Sequence, residues 1–199
     1  MTSASTSRLD LAELFPFPLD GFQLEAIDAL NQGHSVVVSA PTGSGKTLVG
    51  EYAIHRALAH GQKVFYTTPL KALSNQKLRD FREQFGAERV GLMTGDLTVN
   101  REARIVVMTT EIFRNMLYAE AESGDDPLAD VEAVVLDECH YMNDSQRGTV
   151  WEESIIHCPP SVQLVALSAT VANAGQLTDW IERVHGPTRL VLSDFRPVP

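Results

Sequence analysis

Val36-Val37-Val38-Ser39-Ala40-Pro41-Thr42-Gly43-Ser44-Gly45-Lys46-Thr47 decides how this chain folds. A short apolar run gives way to a glycine-rich turn, and Leu48, Tyr52, His55 and Leu58 follow it at helical spacing. Small residues in the turn let successive backbone N–H groups point inward, and the N-terminus of the following helix adds its positive end. Such a loop cradles phosphates. In this Walker A pattern, with Ala40 where a glycine commonly stands, Lys46 reaches the β- and γ-phosphates and the Thr47 hydroxyl ligates Mg²⁺. Ala40, Pro41, Thr42, Gly43, Ser44, Gly45, Lys46 and Thr47 are therefore candidate nucleotide-binding residues, and the implied ligand is a nucleoside triphosphate.

A second motif lies well downstream, where Val134-Val135-Leu136 runs into Asp137-Glu138-Cys139-His140. An apolar strand ending in adjacent acids is the Walker B arrangement, in which Asp137 holds Mg²⁺ and Glu138 orients and deprotonates the attacking water. Two acids after a strand are common in turns, but paired with a phosphate loop they complete one metal–phosphate constellation. That combination points to hydrolysis rather than binding alone.

The 199 residues suffice for one domain with a substantial core, and 44% hydrophobic with 21% charged residues is an ordinary globular balance. No apolar run approaches the length of a membrane span. The two cysteines, Cys139 and Cys158, show no metal-ligand spacing and fit a reducing intracellular setting, so a cytoplasmic location is expected, with an organelle left open. Cys139 is expected to pack rather than react, because flanking acids disfavour a thiolate. The net charge of −10 argues against a nucleic-acid partner until its distribution is considered. Eleven acids stand against Arg147 alone between Glu120 and Glu153, which accounts for the whole excess. Between Lys63 and Arg89, six bases face three acids, enough for one local face to track phosphates. A solvated helix surface is the plainer reading of that segment on its own.

Short apolar runs alternate with helical patterns along the chain, which predicts an α/β fold with a central, mostly parallel sheet flanked by helices. Strands are expected at Val36–Ser39, Val64–Thr67, Arg89–Met93, Ile105–Met108, Val131–Leu136, Val162–Leu167 and Arg189–Leu192. Leu78, Phe81 and Phe85, then Phe113 and Leu117, then Trp151 and Ile155 recur as core-facing helical stripes. Glu122–Pro127 reads as a polar loop. Thr68-Pro69, Thr109-Thr110-Glu111, Asp137 and Ser168-Ala169-Thr170 each begin where a strand ends, as Ala40 does. In open parallel sheets that edge is where ligands bind.

The set Ala40–Thr47, Asp137-Glu138-Cys139-His140 and Ser168-Ala169-Thr170 resembles the first motor domain of a superfamily-2 helicase of the DExH kind. Thr67–Lys77, Gly91–Asp96, Met108–Tyr118, Gly148–Glu153 and Asp194–Pro199 narrow the resemblance to the superkiller/exosome-cofactor RNA helicases, over nearly everything from Phe17 onward. Cys139 departs from it, standing where many relatives carry a β-branched residue. The resemblance implies a RecA-like P-loop domain over 14–193, preceded by a flexible tail over 1–13 and followed at 194–199 by the start of an interdomain linker. It implies ATP and Mg²⁺ as cofactors, with Thr47 and Asp137 on the metal and Lys46, Asp137, Glu138 and His140 as catalytic residues.

By the same resemblance, Gln23 recognises the adenine edge, where a side-chain amide both donates and accepts. Phe17 stacks on the ring, unless it is a core aromatic. Pro69, Lys71, Gln76, Thr94, Gly95, Asp96, Thr110, Glu111 and Arg114 contact one strand's phosphates and sugars, which positions a strand without reading its sequence. For the acids Asp96 and Glu111, capping a helix or ordering a loop is the stronger alternative. His140, Ser168 and Thr170 couple the nucleotide to the strand, with buried hydroxyls bonded to local backbone as the rival.

The expected function is that of an ATP-dependent RNA helicase motor acting on single-stranded or partly duplex RNA. A DNA-directed helicase of the same superfamily and a nucleotide-gated RNA-binding scaffold without useful turnover are the competing readings. Such helicases complete their ATP site with arginines from a second RecA-like domain, a contribution of about 10³–10⁵ in rate. The chain, expected to be monomeric and the N-terminal motor of a longer protein, should alone bind ATP weakly and hydrolyse it poorly.

Overall fold

The computed structural model describes residues 9–124, 126–140 and 148–193. The expected linker at 194–199 and residues 1–8 of the expected tail lie outside them. Eight strands form one sheet: β1 Ser35–Ser39, β2 Lys63–Thr68, β3 Val90–Met93, β4 Thr98–Val99, β5 Ile105–Thr109, β6 Val131–Leu136, β7 Gln163–Ser168 and β8 Thr188–Leu192. Their spatial order is β4-β3-β5-β2-β6-β7-β1-β8. All pairings are parallel except the β3–β4 hairpin, where Leu92 faces Val99.

The helices are α1 Leu11–Leu14, α2 Gly21–Asn31, α3 Thr47–Ala59, α4 Lys71–Phe85, α5 Thr110–Ser123, α6 Gly148–His157 and α7 Ala174–Val184. Strand alternation sends successive side chains to opposite faces, so Val36, Val38 and Tyr66 join one core and Val37 and Phe65 the other. α2, α3 and α4 cover the first face through Phe22, Ile27, Tyr52, Ile54 and Phe81. α5, α6 and α7 cover the second through Phe113, Leu117, Trp151, Ile155 and Ile181. A sheet covered on both faces has no solvated side, which is why its strands read as unbroken apolar runs.

The structure corrects two sequence expectations and adds one element. Residues 9–13 do not belong to a flexible tail: Asp10 accepts from the Ala12 N–H at 3.0 Å to cap α1, and Leu9, Leu11 and Leu14 pack on the first core. Leucines at that spacing become partly buried once a neighbouring face is available. The polar stretch from Glu122 begins inside α5, which runs through Ser123 before Gly124 at φ +78°. The added element is β4, whose two residues are too few to show a period.

Candidate functional site

β1, β7, β6 and β2 are adjacent at the centre of the sheet, so the segments leaving their carboxyl ends converge. The phosphate loop leaves β1. Its turn needs left-handed backbone at Gly43 (φ +82°) and Gly45 (φ +87°), which glycine adopts without steric cost. A Cβ on Gly45 would also lie 2.8 Å from Gln23 Nε2. That nitrogen donates to the Gly45 carbonyl at 2.9 Å, while Gln23 Oε1 accepts from the Asp20 N–H at 2.8 Å. Gln23 is thus buried, and both ends of its amide bear on the entry of α2 and on the loop.

The loop fits a triphosphate on its own terms. Ser44 Oγ is buried with no hydrogen-bond partner among the described residues. The Lys46 ammonium is also buried, and its contact there is the Ala40 carbonyl at 3.4 Å. A buried ammonium and a buried hydroxyl this thinly satisfied are donors awaiting an acceptor. Thr47 opens α3 half-buried, with its hydroxyl available as a hard oxygen ligand.

Asp137 leaves β6 buried, its own N–H held by the Thr67 carbonyl of β2 at 2.9 Å. Its carboxylate accepts from the Glu138 N–H at Oδ1 (2.8 Å) and from the Tyr66 hydroxyl at Oδ2 (2.5 Å). Burial and the Asp137 carboxylate raise the Tyr66 phenol well above its ordinary range, so it remains a donor. Glu138 adopts φ +54° and turns its carboxylate to His140, with Oε2 3.0 Å from Nε2. His140 Nδ1 accepts from the Ala169 N–H at 3.2 Å, which leaves Nε2 as the nitrogen that carries the proton towards Glu138. Cys139 packs beneath, as expected, and burial pushes its thiol up to about 12.

The Ser168-Ala169-Thr170 segment joins this network through the Ala169 N–H on His140 and through the Ser168 side chain beside the Cys139 thiol. Ser168 Oγ donates to the Ala169 carbonyl at 2.7 Å, the local bond foreseen as the rival reading, and Thr170 is exposed. Ser39 adds a second tie, accepting from the Val171 N–H at 3.4 Å. Phe17 is 53% exposed, so it is not a core aromatic; Phe15 fills that role against His55 of α3, at 5.9 Å between ring centroids.

The expected strand-binding residues share the same sheet edge, on the β2, β5 and β3 side. Lys71 and Gln76 are exposed on α4, Pro69 is half-buried before it, and Gly95 is exposed after β3. Thr94 and Thr110 are buried and bond to backbone, Thr94 to Leu97 O at 3.3 Å and Thr110 to Thr68 O at 3.2 Å. Arg114 Nη1 lies 3.7 Å from Glu153. Asp96 forms an ion pair with Lys71, and Glu111 sits in the first turn of α5, where a carboxylate suits the helix dipole. Sequence reasoning missed Tyr66 and Ser39. Their only signal is a hydroxyl inside an apolar strand.

Fold and site together define a RecA-like P-loop domain built to bind a nucleoside triphosphate. The chain belongs to the DEAD/DEAH box helicase family, whose model matches residues 20–177. It is 58% identical over 193 residues to the DExH-box ATP-dependent RNA helicase DExH15, chloroplastic, of Arabidopsis thaliana, covering 96% of this chain and 16% of that protein. It is 53% identical to the probable helicase HelY of Mycobacterium leprae (96% of this chain, 21% of HelY). To the human exosome RNA helicase MTR4 it is 50% identical (94% and 18%). The chain thus spans about a fifth or less of the curated relatives it matches. Among solved structures, the Mycobacterium smegmatis helicase Lhr bound to ssDNA and AMP-PNP superposes with TM-score 0.71 at 27% identity, covering 92% of this chain and 27% of Lhr.

Proposed function

We propose that this chain is the first motor domain of an ATP-dependent RNA helicase, which couples ATP hydrolysis to movement along a single strand once a second RecA-like domain closes over the nucleotide. The observation that carries the reading is the Glu138–His140–Ala169 relay, because it ties the acid that would orient water to the segment leaving β7. A change at the nucleotide therefore has a hydrogen-bonded route along the sheet edge. In this reading Lys46, Ser44 and the loop N–H groups hold the phosphates, and Gln23 and Phe17 address the base. Thr47 and Asp137 would hold Mg²⁺, which when bound offsets phosphate charge as the bond to the leaving group breaks. Glu138 positions the water and takes its proton, while the His140 Nε2–H donates to the Glu138 carboxylate and holds it in place.

RNA is favoured over DNA by the names of two relatives, Arabidopsis DExH15 and human MTR4, which are RNA helicases, although HelY is named only as a probable helicase and Lhr was solved with ssDNA. The exposed Lys71 and Gln76 and the half-buried Arg114 suit a phosphate backbone, which both polymers share. Two buried cysteines outside any disulfide suit a reducing compartment, and we infer a cytoplasmic setting.

The test is ATPase activity of the chain joined to its natural second domain, with and without single-stranded RNA or matched DNA. RNA-stimulated turnover that Glu138→Gln abolishes, with nucleotide binding retained, is the expected result. Stimulation by DNA alone would transfer the assignment to a DNA-directed motor. Strand binding that responds to nucleotide without turnover would make the chain a scaffold.

A further inference from the structure

Tyr66 belongs to the site but to neither the phosphate loop nor the acidic motif. It lies on β2, fully buried, and its hydroxyl donates to Asp137 Oδ2 at 2.5 Å across 71 residues of sequence. Its ring is packed from two helices. Phe81 of α4 meets it edge-on with centroids 4.9 Å apart, and Lys77 Nζ stands over its face at 5.7 Å. On α3, a Cβ added to Gly50 would lie 3.2 Å from the ring, a tight approach, so this helix also packs closely on the tyrosine. The hydroxyl is therefore aimed by packing from two helices, not by rotation towards a convenient acceptor.

We propose that Tyr66 is a positioning residue for the metal site: its hydroxyl, with the Glu138 N–H, fixes the Asp137 carboxylate in the orientation that receives Mg²⁺. This rests on the reading of Asp137 as a metal ligand. One donor sits on each carboxylate oxygen, Tyr66 on Oδ2 and the Glu138 N–H on Oδ1, and a carboxylate has about four lone-pair sites. Acceptor capacity is left on both oxygens while the plane of the group is pinned. Outer partners of this kind orient a ligand before the metal arrives, and removing one typically weakens metal affinity about 10–100-fold. Because α4 carries Lys71 and Gln76 as well as Lys77 and Phe81, the helix that seats Tyr66 is also one expected to touch the strand.

The experiment follows binding of a fluorescent, non-hydrolysable ATP analogue to the full-length protein as Mg²⁺ is titrated. Tyr66→Phe keeps the ring and removes the hydroxyl. The expected result is a rise of about tenfold in the Mg²⁺ midpoint, with metal-free analogue binding unchanged. An unchanged midpoint in Tyr66→Phe, beside a shifted one in Asp137→Asn, overturns the proposal. An unchanged midpoint in Asp137→Asn overturns the ligand reading itself, and this proposal with it. Should Tyr66→Phe fail to fold, Phe81→Leu decides: it leaves the hydroxyl and loosens the ring, so a midpoint raised threefold or more supports the proposal and an unmoved one overturns it.

Discussion

Glu138 holds φ +54°, a left-handed conformation that costs an L side chain about 1–2 kcal/mol. Nothing in the packing of Cys139 or Asp137 requires a side chain there, whereas the turn brings the carboxylate to His140 and the N–H to Asp137. The strain is kept where chemistry is expected. Glu138→Gly removes it, and with it the carboxylate. The expected outcome is a protein more stable by about 1 kcal/mol, a melting-point rise of about 2–4 °C for a domain of this size, with ATP turnover lost. Glu138→Gln retains the Cβ, so it should lose turnover without gaining stability. Melting curves and ATPase assays on the two variants separate strain from chemistry. If Glu138→Gly melts no higher than Glu138→Gln, the backbone there is not strained.

Among the elements, the β3–β4 hairpin depends on a single close approach. A Cβ on Gly91 would stand 2.1 Å from the Asn100 carbonyl oxygen and 2.8 Å from that of Val99, both backbone atoms that cannot swing aside. Gly91→Ala must therefore push β4 off β3, with an expected loss of about 1–3 kcal/mol. Because the turn between them carries Thr94, Gly95 and Asp96, strand binding should weaken while nucleotide binding stays near normal; equal loss of both would place the damage in the core. This hairpin also marks the limit of what the sequence discloses. Strands buried on both faces were legible as apolar runs, and Val36–Ser39 and Val131–Leu136 end where their motifs begin. A two-residue edge strand offers no period to read, and its pairing rests on a glycine whose neighbour is nine residues away. The nucleotide motifs were legible because each is local. Tyr66 and Ser39 were not, because their partners lie 71 and 132 residues away in sequence and only the strand order brings them together.

Across the whole molecule, two histidines tie stability to pH. His55 on α3 lies between aromatic rings, 5.9 Å from Phe15 and 4.9 Å from Phe85, and burial lowers its pKa from the ordinary 6.5. His185 is lowered as well, chiefly by burial, with the Pro159 and Val162 backbone pulling partly the other way. An unfolded chain takes up these protons near the ordinary value, while the folded chain resists until a lower pH. In that interval the unfolded state binds more protons, so stability increases with pH. The contribution is complete above about pH 6.5, fades as pH falls towards the folded pKa values, and changes no further below them. Thermal melts between pH 7.5 and 5.5 should therefore show a falling midpoint. His55→Phe offers a ring of similar breadth to Phe15 and Phe85 and carries no proton, so its midpoint should fall less over the same range. An identical fall in the variant would mean that His55 is already solvated enough to titrate as it does in the unfolded chain. The α1–α3 contact that Phe15 makes would then be too loose to anchor the segment before α2, and Phe17, whose ring centroid lies 6.1 Å from that of Phe15, would lose a fixed neighbour.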